Sequence, residues 1–230
     1  MLFNDKTMNK KAILLGASGI TGNSLLLHLL ENRNFSDILI VVRRELRIQH
    51  PKLKQLIIDF DRMNDYRSQI SGDTVFCCLG STKAKTPDEN EYRKIDCEYP
   101  AQLGSIALEN GAESFHLVSF IKANKNASNL YMRIKGISEE YIRAIAFPAI
   151  HIYRPMLFDT PRNDKHFKES FINLLMQGIN PILLGGLRKY RSIKVEHIAR
   201  AMIRCSLEDQ KGVFIHDSGE IQLLSRDSTD

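Results

Sequence analysis

The 230-residue chain has no tryptophan and only four cysteines, Cys77, Cys78, Cys97 and Cys205. Such scattered thiols make neither a disulfide framework nor a Cys-x-x-Cys metal site, so reduced, buried cysteines in a cytoplasmic protein are expected. The seven histidines contain no His-x-x-x-His or similar cluster, and no metal site is expected from their spacing. No apolar run approaches the ~20 residues that cross a bilayer. Met1 to Lys10 lacks the apolar core of a secretory signal. A linker rich in Gly, Ser or Pro is missing, and so is any internal repeat. The net charge of +5 is modest, its basic residues are interleaved with acidic ones, and the aromatics are not set out for base stacking. That argues against nucleic acid as a partner. What remains is an ordinary composition, 43% hydrophobic and 26% charged, long enough for one large α/β domain or two small ones.

What the chain does have is a glycine turn in a telling place. Ala12-Ile13-Leu14-Leu15 is a short apolar run of the kind expected for a strand buried on both faces. It breaks into Gly16-Ala17-Ser18-Gly19-Ile20-Thr21-Gly22, and an apolar pattern of helical length begins at Leu25. Gly16 tolerates the positive φ of a sharp turn. Gly19 has no Cβ to hold a diphosphate off the backbone, and Gly22 lets the helix lie close to the strand. The first helical turn then offers N–H groups and a positive dipole end to a phosphate. The spacing is G-x-x-G-x-x-G, and no Lys-Ser or Lys-Thr follows it, which argues against a nucleoside-triphosphate loop. A purely structural turn is the bland alternative, but the position after a buried strand favours a dinucleotide.

Further strands follow in alternation with helices. Ile38 to Val42 is all apolar and runs straight into Arg43-Arg44. At the end of the second strand of a doubly wound sheet, an acidic residue would suit the ribose of NAD. Two guanidinium groups suit a 2′-phosphate instead, hence NADP (NADPH) as cofactor, against the alternative of a solvated basic loop. Leu56 to Phe60 reads as a third strand, with Asp59 either meeting the adenine or capping a turn. Thr74 to Leu79 is a fourth, ending at Gly80-Ser81-Thr82, where the nicotinamide half would pass. A helix from about Glu91 is interrupted near Pro100 and stops at Asn110-Gly111. Phe115 to Ser119, a helix from Leu130 to Ala146, and Ala149 to Tyr153 complete the pattern. The reading is an α/β, Rossmann-like doubly wound parallel sheet in a single domain over 1–230. Beyond Pro155 the alternation weakens. Phe167 to Gln177 looks helical, Ile193 extended, Val195 to Leu207 amphipathic and Gly212 to His216 a last strand. Roughly 155–230 is therefore expected to supply a small C-terminal substrate lobe. Its run of Arg188, Lys189, Arg191 and Lys194 either meets an acidic substrate or forms a solvated edge.

Tyr131 and Lys135 stand four residues apart in the helix after the fifth strand. Four residues rise ~6 Å and return to nearly the same face. A free phenol is a poor acid, with a pKa near ~10, and a nearby ammonium favours its phenolate. Such a tyrosine can protonate a carbonyl oxygen while a hydride reaches the carbon. A surface pair on a helix is the usual meaning of this spacing, but downstream of a dinucleotide turn it points to chemistry.

With GASGITG, the paired arginines, CCLGST, LVSF, YMRIK and YRPMLF, most of the chain resembles the extended and atypical short-chain dehydrogenase/reductases, and is most similar to their Tat-interacting-protein, oxidoreductase-like branch. By that resemblance Gly16, Ser18, Gly19, Ile20, Thr21 and Gly22 would hold the diphosphate, and Arg43 and Arg44 the 2′-phosphate. Asp59 and Phe60 would lie toward the adenine, Leu79, Gly80 and Ser81 along the ribose and nicotinamide, and Pro155, Met156 and Leu157 beside the ring. Tyr131 and Lys135 would be the active pair, Lys135 also holding the ribose, with Ser119 the hydroxyl for the substrate carbonyl and Ser128 its other candidate. The chain departs from the family in two places: Val118-Ser119-Phe120-Ile121-Lys122 offers one hydroxyl, set early, and Met156 stands where a glycine is usual after Arg-Pro. The resemblance implies an NADP-dependent oxidoreductase acting on a small molecule. An NADPH-binding regulatory protein with a protein partner and no turnover, or a nucleotide-sugar epimerase, stands behind it. No membrane span is expected, and the chain would be a monomer or homodimer.

Overall fold

The computed structural model describes residues 9–82, 85–156, 158–159 and 193–226. The expected helix from Phe167 to Gln177, the basic residues Arg188, Lys189 and Arg191, and Leu157 lie outside them. Strand β1 (Lys10–Leu15) leads through the glycine turn into α1 (Ile20–Glu31) and then β2 (Phe35–Val42). After β3 (Leu53–Ile57) comes a 3-10 helix at Phe60–Gln69, then β4 (Thr74–Cys77). A composite helix follows: α2 (Glu89–Arg93), a π turn at Lys94–Glu98 and α3 (Tyr99–Glu109). The chain continues through β5 (Ser114–Val118), α4 (Leu130–Ala144) and β6 (Ala149–Arg154). Short strands β7 (Phe158–Asp159) and β8 (Ile193–Lys194) pair with each other, and α5 (Val195–Leu207), β9 (Gly212–Asp217) and α6 (Ser218–Leu224) close the described chain.

Seven strands form one parallel sheet in the order β3-β2-β1-β4-β5-β6-β9. The order reverses between β1 and β4, and in such sheets that crevice, outside the carboxyl ends of the strands, is where ligands bind. Alternate strand residues feed two cores. Leu14, Phe76 and Tyr153 pack with Leu25, Leu29 and Met202 on one face, while Ile13, Val75, Phe115 and Ile152 pack with Leu103 and Ile142 on the other. Each fully buried Leu, Ile or Phe contributes about 1.5–3 kcal/mol before entropy is charged against it. Cys77 and Cys78 fall on opposite faces, as their adjacency requires.

The third strand lies three residues earlier than its apolar run suggests, because pairing with β2 fixes it. Ile38 stands opposite Leu53 and Val42 opposite Ile57. Ile58 then donates to the Val42 carbonyl, and Asp59 turns the chain into the 3-10 helix by accepting from Asp61 N at 3.0 Å. The fourth strand stops two residues short of Leu79, with Cys78 N donating to the Leu15 carbonyl at 3.0 Å. Of the described parts of the expected C-terminal lobe, α5 packs on α1 and β9 extends the main sheet beyond β6, while β7 and β8 form a two-stranded sheet of their own. No helix among the described residues is long and apolar enough to cross a membrane.

Candidate active site

At the end of β1, Gly16 adopts φ +81°, and a Cβ there would stand 2.5 Å from the Cys78 carbonyl carbon. At Gly22 a Cβ would stand 2.1 Å from the Gly16 carbonyl oxygen, so the first turn of α1 can approach the loop only through glycine. Gly19 N donates to Gly16 O at 2.9 Å and closes the turn. Helix α1 starts at Ile20, five residues before its apolar pattern, and no side chain caps its N-terminus. Beside it opens a cavity of about 590 Å³ lined by Gly16, Ser18, Arg43, Arg44, Phe60 and Leu79, together with Val41, Val42 and Leu46. That is within the roughly 300–1,000 Å³ of small-molecule sites. The turn, the arginines and Phe60, separate in sequence, thus share one wall. Leu46, Val41 and Val42 belong to it without having been singled out by the sequence. Asp59 uses its carboxylate as the cap of the 3-10 helix.

At the next turn along, a Cβ on Gly80 would stand 3.0 Å from Lys135 Nζ and 3.2 Å from Asp96 Oδ1. Ser81 N donates to Asp96 Oδ2 at 2.7 Å, and the Ser81 and Thr86 hydroxyls bond to each other at 2.6 Å. Lys135 Nζ lies 2.9 Å from Asp96 Oδ1, an ion pair between buried side chains. Burial works against the ammonium, but Asp96 and, more weakly, Tyr131 outweigh it and hold Lys135 well above an ordinary lysine. It stays charged. Its Nζ stands 6.0 Å from the centre of the Tyr131 ring, and Phe120 meets the same ring edge-on at 5.2 Å. The Tyr92 hydroxyl is buried in this neighbourhood without a hydrogen-bond partner among the described residues, and its phenol is pushed far up by burial first and by Asp96 second. Asp96 is the residue that sequence reasoning missed. Its signal was faint: a carboxylate four positions after Tyr92, on the helix face that is otherwise apolar.

Ser119 lies at the end of β5, 2% exposed, and its hydroxyl donates to Glu139 Oε1 at 2.5 Å. Arg154, at the end of β6, grips the same carboxylate with Nε at 2.8 Å and Nη2 at 2.5 Å. Backbone bonds from Ser119 N to Tyr153 O and from Ile121 N to Pro155 O tie the two strand ends together. Pro155 is buried there, and Met156 N donates to the Ser218 hydroxyl at 3.0 Å. Ser128 is exposed just ahead of Asn129, whose side chain caps α4 by accepting from Met132 N.

No protein-family model matches the chain. Rat protein HTATIP2 is 32% identical over 154 residues, which cover 65% of this chain and 63% of that protein. Protein FMP52 of Meyerozyma guilliermondii is 30% identical over 205 residues, 87% of each chain. FMP52 of Saccharomyces cerevisiae is 32% identical over 148 residues, spanning 63% of that protein. The chain thus matches less than two thirds of the length of HTATIP2 and of the Saccharomyces protein. Among solved structures, Bordetella bronchiseptica WbmH in complex with NAD+ superposes with a TM-score of 0.69 at 18% identity, covering 92% of this chain and 76% of that one. UDP-N-acetylglucosamine 4-epimerase from Methanobrevibacter ruminantium gives 0.68 at 18% identity, covering 91% and 76%. At that identity the likeness is one of fold. The FMP52 relatives are named as mitochondrial proteins, which overturns the cytoplasmic location expected from composition. Thiol chemistry and an unremarkable composition do not separate those two reducing compartments.

Proposed function

The chain belongs to the atypical short-chain dehydrogenase/reductase family, alongside the FMP52 proteins and HTATIP2, and from that premise we propose that it is an NADP-dependent oxidoreductase of the carbonyl reductase or alcohol dehydrogenase type. The observation that carries the reading is the charged Lys135, buried against the Gly80 turn with Tyr131 one helical turn away on the same face of α4. The glycine turn fits a dinucleotide, because a Cβ at Gly16 or Gly22 would collide with backbone, and α1 begins there without a side-chain cap. Arg43 and Arg44, exposed on the cavity wall, favour the phosphate of NADP over the bare ribose of NAD. The whole chain acts as one NAD(P)-binding domain, with 155–230 contributing the substrate side.

When bound, the nicotinamide supplies or accepts a hydride. Tyr131 gives its phenolic proton to the substrate oxygen in reduction and takes it back in oxidation. Lys135 stabilises the phenolate left behind, and Asp96 fixes the ammonium in position while drawing off part of its field. A second reading, a protein that binds NADPH as a signal and turns over nothing, is favoured by two observations. The hydroxyl at the end of β5 is held by Glu139, and a phenyl ring, Phe120, occupies the flank of Tyr131.

Titration of NADPH and NADH by nucleotide fluorescence, followed by a screen of carbonyl substrates with Tyr131→Phe as control, separates the two. Binding with substrate-dependent NADPH oxidation that Tyr131→Phe abolishes supports the oxidoreductase. Tight binding with no oxidation on any carbonyl hands the case to the regulatory reading. After the FMP52 relatives we also assign the protein to mitochondria, which organelle fractionation of the tagged chain tests; a soluble-fraction signal with mitochondria empty overturns that.

A further inference from the structure

We propose that His151, His216 and Cys205 form a binding site for a zinc-class divalent cation, enclosed between β6, β9 and α5. The three side chains are buried, and their ligand atoms all lie within 4.8 Å of one another. No metal spacing is visible along the chain because the ligands come from two strands and a helix that meet only in the fold. His151 Nδ1 and His216 Nε2 stand 3.0 Å apart, both aimed into the same space. Tetrahedral zinc, with bonds of ~2.0–2.1 Å to nitrogen and ~2.3 Å to sulfur, sets its donors roughly 3.3–3.6 Å apart. Side-chain shifts of about 1 Å therefore close the set.

His216 already carries the outer contact that a metal-ligating histidine needs. His216 Nδ1 stands 3.0 Å from Glu220 Oε1, so the carboxylate accepts the Nδ1 proton and leaves the Nε2 lone pair facing the cluster. Tyr153 lies beside Cys205 and lowers its thiol pKa against the effect of burial, and the Tyr153 hydroxyl stands 3.0 Å from His116 Nδ1. A hydrogen-bonded pair of core histidines explains His151 and His216 alone. It does not explain a thiol drawn to the same point, nor a carboxylate behind the outer nitrogen. Two imidazoles and a thiolate are borderline-soft donors that select zinc over magnesium or calcium. On binding, the Cys205 thiol gives its proton to solvent and the His151 proton moves from Nδ1 to Nε2, freeing both lone pairs for the cation. Glu220, behind His216, is 49% exposed, so the edge of the cluster lies near solvent, and a water completes the fourth position.

This site is independent of the cofactor reading, and its test uses no nucleotide. The reduced, full-length chain, stripped with chelator and exchanged into clean buffer, is titrated with Co²⁺ and then Zn²⁺. One cobalt per chain is expected, with a thiolate-to-cobalt charge-transfer band and tetrahedral d–d bands that zinc, but not magnesium, displaces. Cys205→Ser should lose the charge-transfer band, while Cys97→Ser keeps it. Glu220→Gln, a half-exposed change, should keep the circular dichroism of the wild type and weaken cobalt binding about 10- to 100-fold. Absence of the bands in wild type, their survival in Cys205→Ser, or unchanged affinity in Glu220→Gln overturns the site.

Discussion

Helix α4 buries two opposite charges one turn apart, Lys135 and Glu139, and the fold treats them differently. Glu139 is saturated: one oxygen accepts from Ser119 and Arg154, the other from Arg154 again. Its partners come from the ends of β5 and β6, so the carboxylate works as a clamp on two neighbouring strands. Among the described residues Lys135 has one carboxylate partner, Asp96 at 2.9 Å, a contact that engages one of the three N–H donors of its ammonium. Buried polar groups are nearly always satisfied, and a charge removed from water is costly unless it is paired and hydrogen-bonded. A saturated pair has nothing left to offer a ligand. An unsaturated pair beside Gly80, with Tyr131 and Tyr92 around it, retains bonding capacity where the proposed nicotinamide would pass. The same chemistry, one turn apart, is a fastener in one case and a site in the other.

The largest effect expected from breaking this contrast falls on the clamp. Glu139→Ala leaves Arg154 without its counter-charge and Ser119 without its acceptor. Removing one partner of a buried pair costs about 3–5 kcal/mol, and because the Arg154 side chain is 26% exposed the lower end applies. Urea titration should return an unfolding free energy lower by that amount, with the midpoint falling accordingly, while the folded fraction binds NADPH as the wild type does. A loss of nucleotide affinity with stability intact would erase the distinction between the two pairs. Tyr131→Phe tests the other side. Turnover on any active carbonyl should fall about 10²- to 10⁴-fold, with the urea midpoint and NADPH affinity nearly unchanged. Retained turnover, or a stability loss in its place, would make Tyr131 a packing residue and favour the regulatory reading.

How far the sequence carried is itself divided along this line. The glycine turn, the arginines and the Tyr-x-x-x-Lys spacing were legible because each is contiguous or falls within one helical turn, where local geometry fixes what faces what. Strand and helix order were legible for the same reason, up to the shift of the edge strand β3, whose position depends on pairing with β2 rather than on its own apolar run. The clamp was not legible. Ser119, Glu139 and Arg154 come from three elements, and nothing local to Ser119 announces that its hydroxyl is taken. Asp96 was hidden likewise, since its partner stands on another helix. So was the meeting of His151, Cys205 and His216, which needs β9 to pair with β6 and α5 to lie across them.

A smaller effect is expected where charge is carried on the surface. Arg43 and Arg44 are exposed at the end of β2, so their grip on a phosphate is weakened by solvent. Replacing both with alanine should cost NADPH about tenfold or more in affinity, the size of one charge-assisted hydrogen bond after that discount. NADH affinity should barely change, and neither should the urea midpoint. Equal loss for the two nucleotides would mean that the arginines act on the cavity as a whole rather than on the 2′-phosphate.

The smallest effect, and the sharpest test of the contrast, concerns Ser119. Read from sequence it is the substrate-holding hydroxyl, whereas its bond to Glu139 makes it part of the clamp. Ser119→Ala removes one donor from a carboxylate that keeps both bonds to Arg154, so the loss should stay near the value of an ordinary hydrogen bond, about 1 kcal/mol. Turnover should remain within about twofold of wild type, because a clamp residue raises no barrier of its own once the strands are in place. Position 119 would be catalytic if the reverse were measured, a fall of about 10²-fold in kcat with the urea midpoint unmoved. Ser119→Thr discriminates further. An added methyl in a site 2% exposed should strain the clamp and lower stability, yet it keeps the hydroxyl, so a catalytic role predicts rescue of activity and a clamp role predicts loss of midpoint alone.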